Sequence, residues 1–494
     1  MKAVVFSVIA LLSIAWAEAQ IPTDHSPDIE RVQQELNDTR SQLALAMRQV
    51  QELKREVEEL NAIVRPAATA SATAPFAPVA PAGAAAAAVT QTAADEDPAF
   101  LAAKVDDLHQ SKVESESKRP VTVNGLILFN AYGGNRAVDV ADRPNLVLPS
   151  SNYRSNGSIG ATLRQTILGI DATGPRIFGA ETSADASIDF SGGSPTTSYG
   201  VAAGLLRLRT ANVHLDWGTT RLHIGQDTPF ISPLSPTSYA TVAEPALSWS
   251  GNLWVWTPQV MVERQVGSAE GNSLLIQGGL MDPLTEERPP FQGRQPTAGE
   301  QSRMPAFAGR IAWDRSHAQR FPLVMGLGGY RARQQYESFP SIASWTINSD
   351  LLLPLSRFFQ VSGEWYTGQA AGGLGGGIAT SVIFPESTEP HTAIHALRST
   401  GGWGQLKFTP NLRFEVNGVV GQDENFGQSL RFFSNPSAYY GGALKKNRTA
   451  FGNVIYKPNS FLLFALEYRR LMTEPALGSS RSAGWVNIAA GVRF

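Results

Sequence analysis

Histidine side chains are the first candidates for chemistry, because the chain has no Cys and therefore no thiolate nucleophile, thiolate metal ligand or disulfide. His214 and His223 flank LDWGTTRL, and a two-residue turn at 218–219 would place them directly opposite each other. Such a pair could sense pH or bind a metal ion, but two polar side chains on one strand face explain it more simply. His391 and His395 are four residues apart in loop-like sequence without a paired Glu, so no metal site is predicted.

No catalytic site is predicted from the other residue patterns. The chain has no G-x-S-x-G motif and no convincing cluster of Ser, His and Asp. GGLGGG (372–377) lacks the strand-to-helix context of a phosphate-binding loop and is interpreted as a flexible external loop. The formal net charge of -2 gives no general case for nucleic-acid binding. We therefore expect no enzyme activity, no cofactor and no nucleic-acid partner.

Charged residues recur in segments that alternate between polar and apolar positions, as a strand with two different faces does. In AETSADASIDF (180–190), Glu181, Asp185 and Asp189 share the polar face. Arg207 and Arg209 break the pattern, because they share a phase with apolar residues further along; either a bulge lies between, or both face another protomer. Charges on the polar phase of other strands are Arg310, Arg413, Glu415, Glu467 and Arg469.

About sixteen such segments run from Val121 to the end. Their connections alternate in length: WGTT, PLSR and KPNS are short, whereas SGGSPTTSYGVAAG and GQAAGGLGGGIATSVIFPESTEPH are long. A soluble propeller or jelly roll has no need of this asymmetry, but a barrel with tight periplasmic turns and long external loops shows it. The predicted fold is an all-β transmembrane barrel of about 16 antiparallel strands, residues 121–494, preceded by an α-helical coiled coil.

The final segment, GWVNIAAGVRF, predicts how the barrel closes. Its last strand must pair with the first, the Val121 strand, so that no unpaired edge remains. Asn487 and Arg493 then face water, and Phe494 lies at the periplasmic rim. The residues expected to face lipid are Val486, Ile488, Ala490, Val492 and Phe494. Aromatic residues expected in the membrane-interface belts are Trp217, Trp313, Trp365 and Tyr456.

The first 120 residues predict export and a link to the barrel. Residues 1–19 read as a signal peptide, because Lys2 precedes the apolar run AVVFSVIALLSIAWA and small residues follow. This run is shorter than the roughly 20 residues of a membrane-spanning helix. The Ala/Pro-rich residues 66–97 predict a semi-extended linker, and residues 98–120 a short helix and lead-in.

Residues 20–65 carry about five unbroken heptads and predict a periplasmic coiled coil. The mixture of residues at the two core positions does not decide between dimer and trimer. A single amphipathic helix lying on its own protein is the alternative. The apolar residues expected to join protomers are Ile29, Val32, Leu36, Leu43, Val50, Leu53, Val57, Leu60 and Val64.

A signal peptide, a heptad helix, an Ala/Pro linker and a barrel ending in Phe resemble the DcaP-like outer-membrane porins and, more broadly, the general trimeric porins. RLHIGQDTPF (221–230) resembles the strand that enters their inward-folded third loop, and GIDATGP (169–175) their second strand and first turn. AAGVRF is similar to the aromatic-terminated strand read by the barrel-assembly machinery, which makes Phe494 an expected assembly signal. The resemblance implies a homotrimer, passive diffusion of small solutes, and contact with outer-membrane lipid and lipopolysaccharide.

The stretch 226–252 is long for a connection without an element of its own, and such loops are often functional. By the resemblance it folds into the lumen and narrows the pore; an ordinary external loop is the alternative. The excess of Arg in the barrel favours anionic solutes, although solvated surface charge explains the same numbers. The polar residues expected at the constriction are Asp227, Ser232, Ser235, Thr237, Ser238, Tyr239, Thr241 and Glu244.

Three functions compete at this point. The first is a porin for small hydrophilic solutes in the bacterial outer membrane. The second is a structural tether, in which the coiled coil reaches toward peptidoglycan and the barrel only anchors it. The third is a barrel enzyme, which the absence of a visible catalytic cluster disfavours.

Overall fold

The computed structural model describes residues 121–494 except 151–155, 194–203, 268–271, 284–295, 316–322, 337–338, 384–393, 428–429 and 431–442. The expected signal peptide, coiled coil, linker and lead-in lie outside the described residues. Within the described ranges, no helix has the length and apolar character needed to cross a membrane.

Nineteen strands occur in the described residues, and seventeen of them form one sheet. Alternating polar and apolar residues, rich in Val, Ile, Thr and aromatics, explain why these segments are strands. The strands are β1 (Val121–Gly134), β2 (Ser158–Thr162), β3 (Ile167–Thr173), β4 (Glu181–Asp189), β5 (Arg207–Asp216), β6 (Thr220–Asp227), β7 (Thr257–Gly267), β8 (Ser273–Met281), β9 (Ala306–Asp314), β10 (Val324–Gln334), β11 (Ile342–Pro354), β12 (Phe359–Gln369), β13 (Val382–Ile383), β14 (His395–Ala396), β15 (Arg398–Asn411), β16 (Phe414–Asn425), β17 (Leu444–Tyr456), β18 (Leu462–Pro475) and β19 (Arg481–Arg493).

The sheet closes on itself. β1 pairs with β19 from Leu126 opposite Arg493 to Gly134 opposite Trp485. The other edge of β1 pairs with β3 along its first half and with β2 along its second half, so β2 and β3 share one strand position. The barrel therefore has sixteen antiparallel positions. Both the predicted strand number and the predicted pairing of first and last strands are confirmed.

The two faces of the barrel are opposite in polarity. Large apolar side chains such as Ile311, Val420 and Ile488 are exposed on the outer wall. Amide side chains such as Asn130 and Asn417 are buried on the inner wall. A protein surrounded by water would place these groups the other way round, whereas the outer wall of a membrane barrel meets lipid. Trp217, Trp313, Trp365 and Tyr456 are all exposed on the outer wall, in the phase that the sequence predicted.

A bulge in β5 resolves the irregular phase of Arg207 and Arg209. The register between β4 and β5 shifts at Ser187 and Ile188, so that both guanidinium groups reach the same inner-wall carboxylate, Asp189. Arg207 and Arg209 therefore face the interior, and the interpretation as an interface between protomers is wrong for both.

The connections alternate in length as predicted. Those after β5, β11 and β15 are short turns, at the end of the barrel where β1 begins and β19 ends. The long connections at the other end contain the remaining elements. They are a helical turn at Ala298–Gln301, a 3-10 turn at Gly372–Leu374, a second short turn at Gly376–Ala379, and the two-stranded ribbon β13–β14.

Candidate pore constriction

The connection between β6 and β7, residues 228–256, is called the crossing segment below. It has no strand or helix of its own, yet much of it is buried, including Ile231, Leu247 and Leu253. Pro at several positions stiffens the backbone by fixing φ. A segment without a regular ladder must find partners for its backbone and polar groups elsewhere. The partners are inner-wall side chains of the barrel.

The first contact is to a single carboxylate, Glu364 on β12. The hydroxyl of Ser232 donates to Glu364 Oε2 at 2.6 Å, and the backbone N–H of Leu234 donates to Oε1 at 2.8 Å. The indole N–H of Trp403 also donates to Oε2, at 3.3 Å. Three donors thus converge on the two oxygens of Glu364, which holds this part of the crossing segment against β12.

The next contacts lie on β15, β17 and β18. The N–H of Thr237 donates to Gln405 Oε1 at 2.7 Å, and Asn453 Nδ2 donates to the carbonyl of Thr237 at 2.9 Å. The hydroxyl of Ser238 donates to Glu467 Oε2 at 2.6 Å. Three neighbouring residues of the barrel wall thus hold two consecutive residues of the crossing segment.

The middle of the segment meets β1, β19 and the break between β2 and β3. Asn130 Nδ2 donates to the carbonyl of Tyr239 at 2.7 Å, and the hydroxyl of Tyr239 contacts the guanidinium of Arg493. Gln165 lies in the β2–β3 break, where it donates to the carbonyl of Ala240 and accepts from the N–H of Val242. The break between β2 and β3 therefore allows the side-chain amide of Gln165 to bind the backbone of the crossing segment.

The returning part of the segment has its own partners. Glu244 accepts from Arg143 Nε and Asn145 Nδ2, both at 2.9 Å, in the connection between β1 and β2. The hydroxyls of Ser250 and Thr449 are 2.9 Å apart. On β5, Arg207 and Arg209 donate to the backbone carbonyls of Ala243 and Val242. The crossing segment thus contacts inner-wall side chains from β5 round to β12 by way of β1 and β19.

The predicted constriction residues differ in their contacts and in their exposure. Ser232, Ser238, Thr241 and Glu244 are tied to the wall or to another connection, since Thr241 accepts from Arg469 Nη2 at 3.1 Å. Ser235 is exposed. Asp227 ends β6 and accepts from Asn212 Nδ2 and the N–H of Thr228. Thr237 and Tyr239 are partly exposed.

The predicted strand charges are mostly paired. Arg310 forms a two-pronged bond with Asp350 at 2.8 and 2.6 Å, and Arg469 donates to Glu467 on the same strand at 2.8 Å. Glu415 lies 3.3 Å from Lys407 and 3.1 Å from Lys457. Arg413 lies in the short turn between β15 and β16, where its side chain is exposed. Of these residues, the structure joins Glu467 and Arg469 to the crossing segment.

Basic and acidic groups that stay partly exposed lie on different parts of the inner wall. Lys407, Lys457 and Arg493 lie on β15, on the turn after β17, and on β19. Asp185 lies across the barrel on β4, where its carboxylate is 2.8 Å from His214 Nε2. Arg207 and Arg209 share a single carboxylate, Asp189, so this cluster keeps one positive charge in excess. Lysines supply part of the accessible positive charge as well.

The residues that hold the crossing segment were mostly not predicted. Glu364, Gln165, Gln405, Asn453 and Asn130 are single polar residues at inner-wall positions, and the strand pattern gives their direction without their partner. Glu467 and Arg469 were predicted, because both are charged residues on the polar phase of the same strand. A usable signal was the polarity itself: an amide or carboxylate at an inward position in mid-strand is a candidate partner for a long connection.

The predicted opposition of the two histidines is confirmed. His214 pairs with His223 across β5 and β6, with ring centroids 4.8 Å apart. Among the described residues, no group of three or more His, Cys, Asp or Glu side chains could hold a metal ion. The pair is a polar contact of the inner wall beside Asp185.

One carboxyl outside the strands has an altered proton affinity. Asp139 lies in the connection between β1 and β2 and accepts the N–H groups of Asn145 and Leu146 through one oxygen, at 2.9 and 3.0 Å. Burial raises the pKa of Asp139 to about 6, because the charged form loses hydration. Arg143 and Asn145 of the same connection donate to Glu244, so this connection also contacts the crossing segment.

Comparison with solved structures identifies the fold. The chain is similar to the outer membrane channel DcaP of Acinetobacter baumannii, with 15% identity and a TM-score of 0.58, covering 78% of this chain and 100% of that one. It is also similar to an anion-selective porin from Comamonas acidovorans, with 11% identity, 76% and 100% coverage and a TM-score of 0.49. No protein-family model matches the chain, and no curated protein matches it. The likeness to DcaP shows a shared fold.

Proposed function

We propose that this chain is an outer-membrane porin through which small hydrophilic solutes diffuse passively. The observation that carries the proposal is a closed sixteen-position barrel with an apolar outer wall, a polar inner wall, and a long connection bound to inner-wall side chains. A barrel that only anchors another domain has no need of a polar interior. The fold shared with the DcaP channel supports the same function.

The crossing segment is proposed to narrow the pore. Its contacts with Glu364, Glu467, Gln165 and Arg209 would hold it across the interior rather than outside the barrel. Solute would then pass beside the segment, where inner-wall side chains keep part of their surface exposed. A narrow polar path of this kind selects by width and by local field.

Anionic solutes are the proposed preference. Support comes from Lys407, Lys457 and Arg493, which keep exposed surface near the short-turn end, close to Tyr239 of the crossing segment. One carboxylate, Glu415, stands against the two lysines. The local balance is positive, and a positive path raises the concentration of anions within it.

The assembly is proposed to be a homotrimer exported through the signal peptide of residues 1–19. The heptads of residues 20–65 would join protomers in the periplasm, with residues 66–97 as the linker to the barrel. Contact of the coiled coil with peptidoglycan is a compatible second role, because five heptads span about 50 Å at 1.5 Å per residue. Binding to purified peptidoglycan, with and without residues 20–65, tests that role.

Planar-bilayer recording of the purified chain tests the channel. We expect ohmic current that appears in steps of three, one for each barrel of a trimer. Chemically cross-linked trimers and monomers lacking residues 20–65 distinguish the assembly from the pore. A folded barrel that gives no conductance in any of these forms would exclude the porin function.

Phe494 is proposed to act in assembly. Its backbone pairs with Gly125 of β1, and its ring is exposed on the outer wall. Phe494→Ala should lower the amount of folded barrel in the outer membrane more than it alters single-channel conductance. Phe464→Ala, at another exposed aromatic on the neighbouring strand, is the matched control. Normal membrane levels of the Phe494 variant would contradict the assembly role.

A further inference from the structure

The turn between β3 and β4 presents an apolar tip at the short-turn end of the barrel. Ile177 and Ala180 exchange both backbone hydrogen bonds, at 3.0 and 2.9 Å, so Phe178 and Gly179 form a two-residue hairpin loop. The indole N–H of Trp217, next to the turn between β5 and β6, donates to the carbonyl of Phe178 at 3.1 Å. Ile177, Phe178 and Trp217 are all exposed, and we call these three residues the turn patch.

Phe178 is unfavourable at this position in two ways. Its side chain is 91% exposed. Its φ of 51° lies in the left-handed region, which is rare for an aromatic residue. Two-residue hairpin loops with such backbone angles favour Asn, Asp or Gly instead. Because backbone strain persists where other interactions depend on the residue, an exposed ring on a strained loop points to a contact partner for that ring.

Charged groups beside the loop indicate that this partner is not the acyl region of the membrane. Arg176 Nη2 lies 2.5 Å from Glu181 Oε1, and the two side chains keep 75% and 62% of their surface exposed. Thr173 and Ser183 form the last residue pair between β3 and β4, so the loop extends past the paired strands. The tip therefore meets water at the end of the barrel, where an apolar surface fits a protein segment.

The chain enters the barrel beside this turn. Val121, the first residue of β1, stands opposite Ala172 on β3, and the turn begins two residues after Ala172. The residues before Val121 lie outside the described part of the chain, but they must reach the barrel at this point. The segment immediately upstream therefore comes within reach of the turn patch without crossing the barrel.

That upstream segment has the apolar face that the turn patch requires. Residues 98–112 belong to the predicted short helix and lead-in, and Leu101, Val105 and Leu108 follow the spacing of one apolar helix face. The two Asp residues directly after Val105 fall on the opposite, polar face. Residues 113–120 then span at most about 28 Å when extended, which is enough to turn the helix back onto the barrel end.

We propose that residues 98–112 dock as an amphipathic helix on the turn patch of the same chain, with Val105 against the ring of Phe178. The contact covers the exposed ring and fixes the helix at the short-turn end. The predicted linker of residues 66–97 then ends at a fixed point on the barrel. The inference depends neither on conductance nor on the number of protomers.

Disulfide formation tests the contact directly, because the chain has no Cys. Phe178→Cys with Val105→Cys, in the full-length chain in isolated outer membranes, should cross-link within one chain on mild oxidation and run as a faster band on a non-reducing gel. Phe178→Cys with Ala103→Cys, on the opposite helix face, is the matched control and should cross-link at least fivefold less. Equal cross-linking of the two pairs, or none in either, would overturn the proposal.

A second variant removes the ring and keeps the loop. Phe178→Asn suits the left-handed backbone better, so the barrel should fold as before, which heat-modified gel mobility checks. Trypsin should then cleave after Lys104 at least fivefold faster than in the parent chain. Leu355→Asn is the control and should leave this rate unchanged, because Leu355 is 58% exposed in the short turn between β11 and β12.

The remaining outcomes also decide the question. Unchanged cleavage in Phe178→Asn would overturn the proposal, and poorer membrane insertion with unchanged cleavage would assign the ring to lipid instead. Cross-linked species with the mass of two or three chains would assign the turn patch to a second copy and overturn the contact within one chain. A chain that forms the expected cross-link but conducts nothing would leave this inference standing while removing the porin function.

Discussion

Polar side chains on two sides of the inner wall differ in how far they are buried. On β12, β15, β17 and β18, Glu364, Gln405, Asn453 and Glu467 are buried beneath the crossing segment. On β4 and β5, Arg207 and Arg209 reach the crossing segment, but nearer the short-turn end the side chains of Asp185 and His214 keep 33% and 25% of their surface exposed. The strands on both sides alternate in the same way and carry the same kinds of residue. What differs is whether a connection lies on top of them.

The comparison separates two properties that strand alternation alone does not distinguish. Alternation gives the direction in which a side chain points. Whether an inward side chain meets water or protein depends on a connection far away in sequence. On the covered side, polar groups fix a backbone segment; on the open side, they keep part of their surface exposed. The predictions below alter one side and use the other as reference.

Removing most of the crossing segment should have the largest effect. The test replaces residues 232–252 by a flexible Gly/Ser linker between Ile231 and Leu253, which both belong to one apolar cluster. Single-channel conductance should rise several-fold, since the inner wall of β12 to β18 would then line open water. Planar-bilayer recording measures this. An unchanged conductance in a correctly folded variant would show that the crossing segment does not limit the pore.

Removing one contact between the barrel wall and the crossing segment should have a smaller effect. Glu364→Ala leaves the hydroxyl of Ser232 and the N–H of Leu234 without their acceptor, at a cost of about 1–3 kcal/mol for each buried group. We expect noisier current and faster proteolysis within residues 228–256. Asp185→Ala, on the open side, is the matched control and should leave both unchanged. Equal noise in the two variants would contradict the difference between the sides.

Changing accessible charge should shift selectivity without changing conductance much. Lys407→Gln with Lys457→Gln removes two exposed positive charges and should move the reversal potential in a salt gradient toward cations. Adding Glu415→Gln restores part of the balance and should reverse part of the shift. Arg413→Gln, in the exposed turn, should give no shift. An identical shift from Arg413→Gln would assign the selectivity to surface charge in general.

The smallest effect is expected at Asp139, beside the covered side. Its pKa of about 6 lies above the ordinary 3.8, so folding favours the protonated form; stability is full below about pH 4 and declines as pH rises to 6. Asp139→Asn keeps an acceptor for both N–H groups and should remove this dependence. Proteolysis within residues 135–150 at pH 4.5 and 7.5, compared between variant and parent at each pH, measures it. A parent that is equally resistant at both values would contradict the prediction.

The fold could be predicted from the sequence further than the site could. Sixteen strand positions, the seam between β1 and β19, and the facing of Arg310 and Glu467 follow from local alternation, which is a property of neighbouring residues. The partners of the crossing segment do not, because these contacts join residues at least 33 positions apart in sequence; Gln165 and Val242 are 77 positions apart. For Arg207 and Arg209 the sequence left a bulge and an interface between protomers as alternatives, and only the structure shows that the bulge is correct, since a bulge changes direction without changing composition.

The seam of the barrel has a consequence for the order of folding. Leu126 stands opposite Arg493, so the pairing of β1 with β19 joins the two ends of the barrel sequence. Contacts between residues that are far apart in sequence carry a large loop-closure entropy and form slowly. Strands that are neighbours in sequence can therefore pair early, while the edge of β1 that pairs with β19 remains unpaired until β19 has formed. Closure is expected to be the rate-limiting step, and an unclosed sheet is the species most exposed to aggregation.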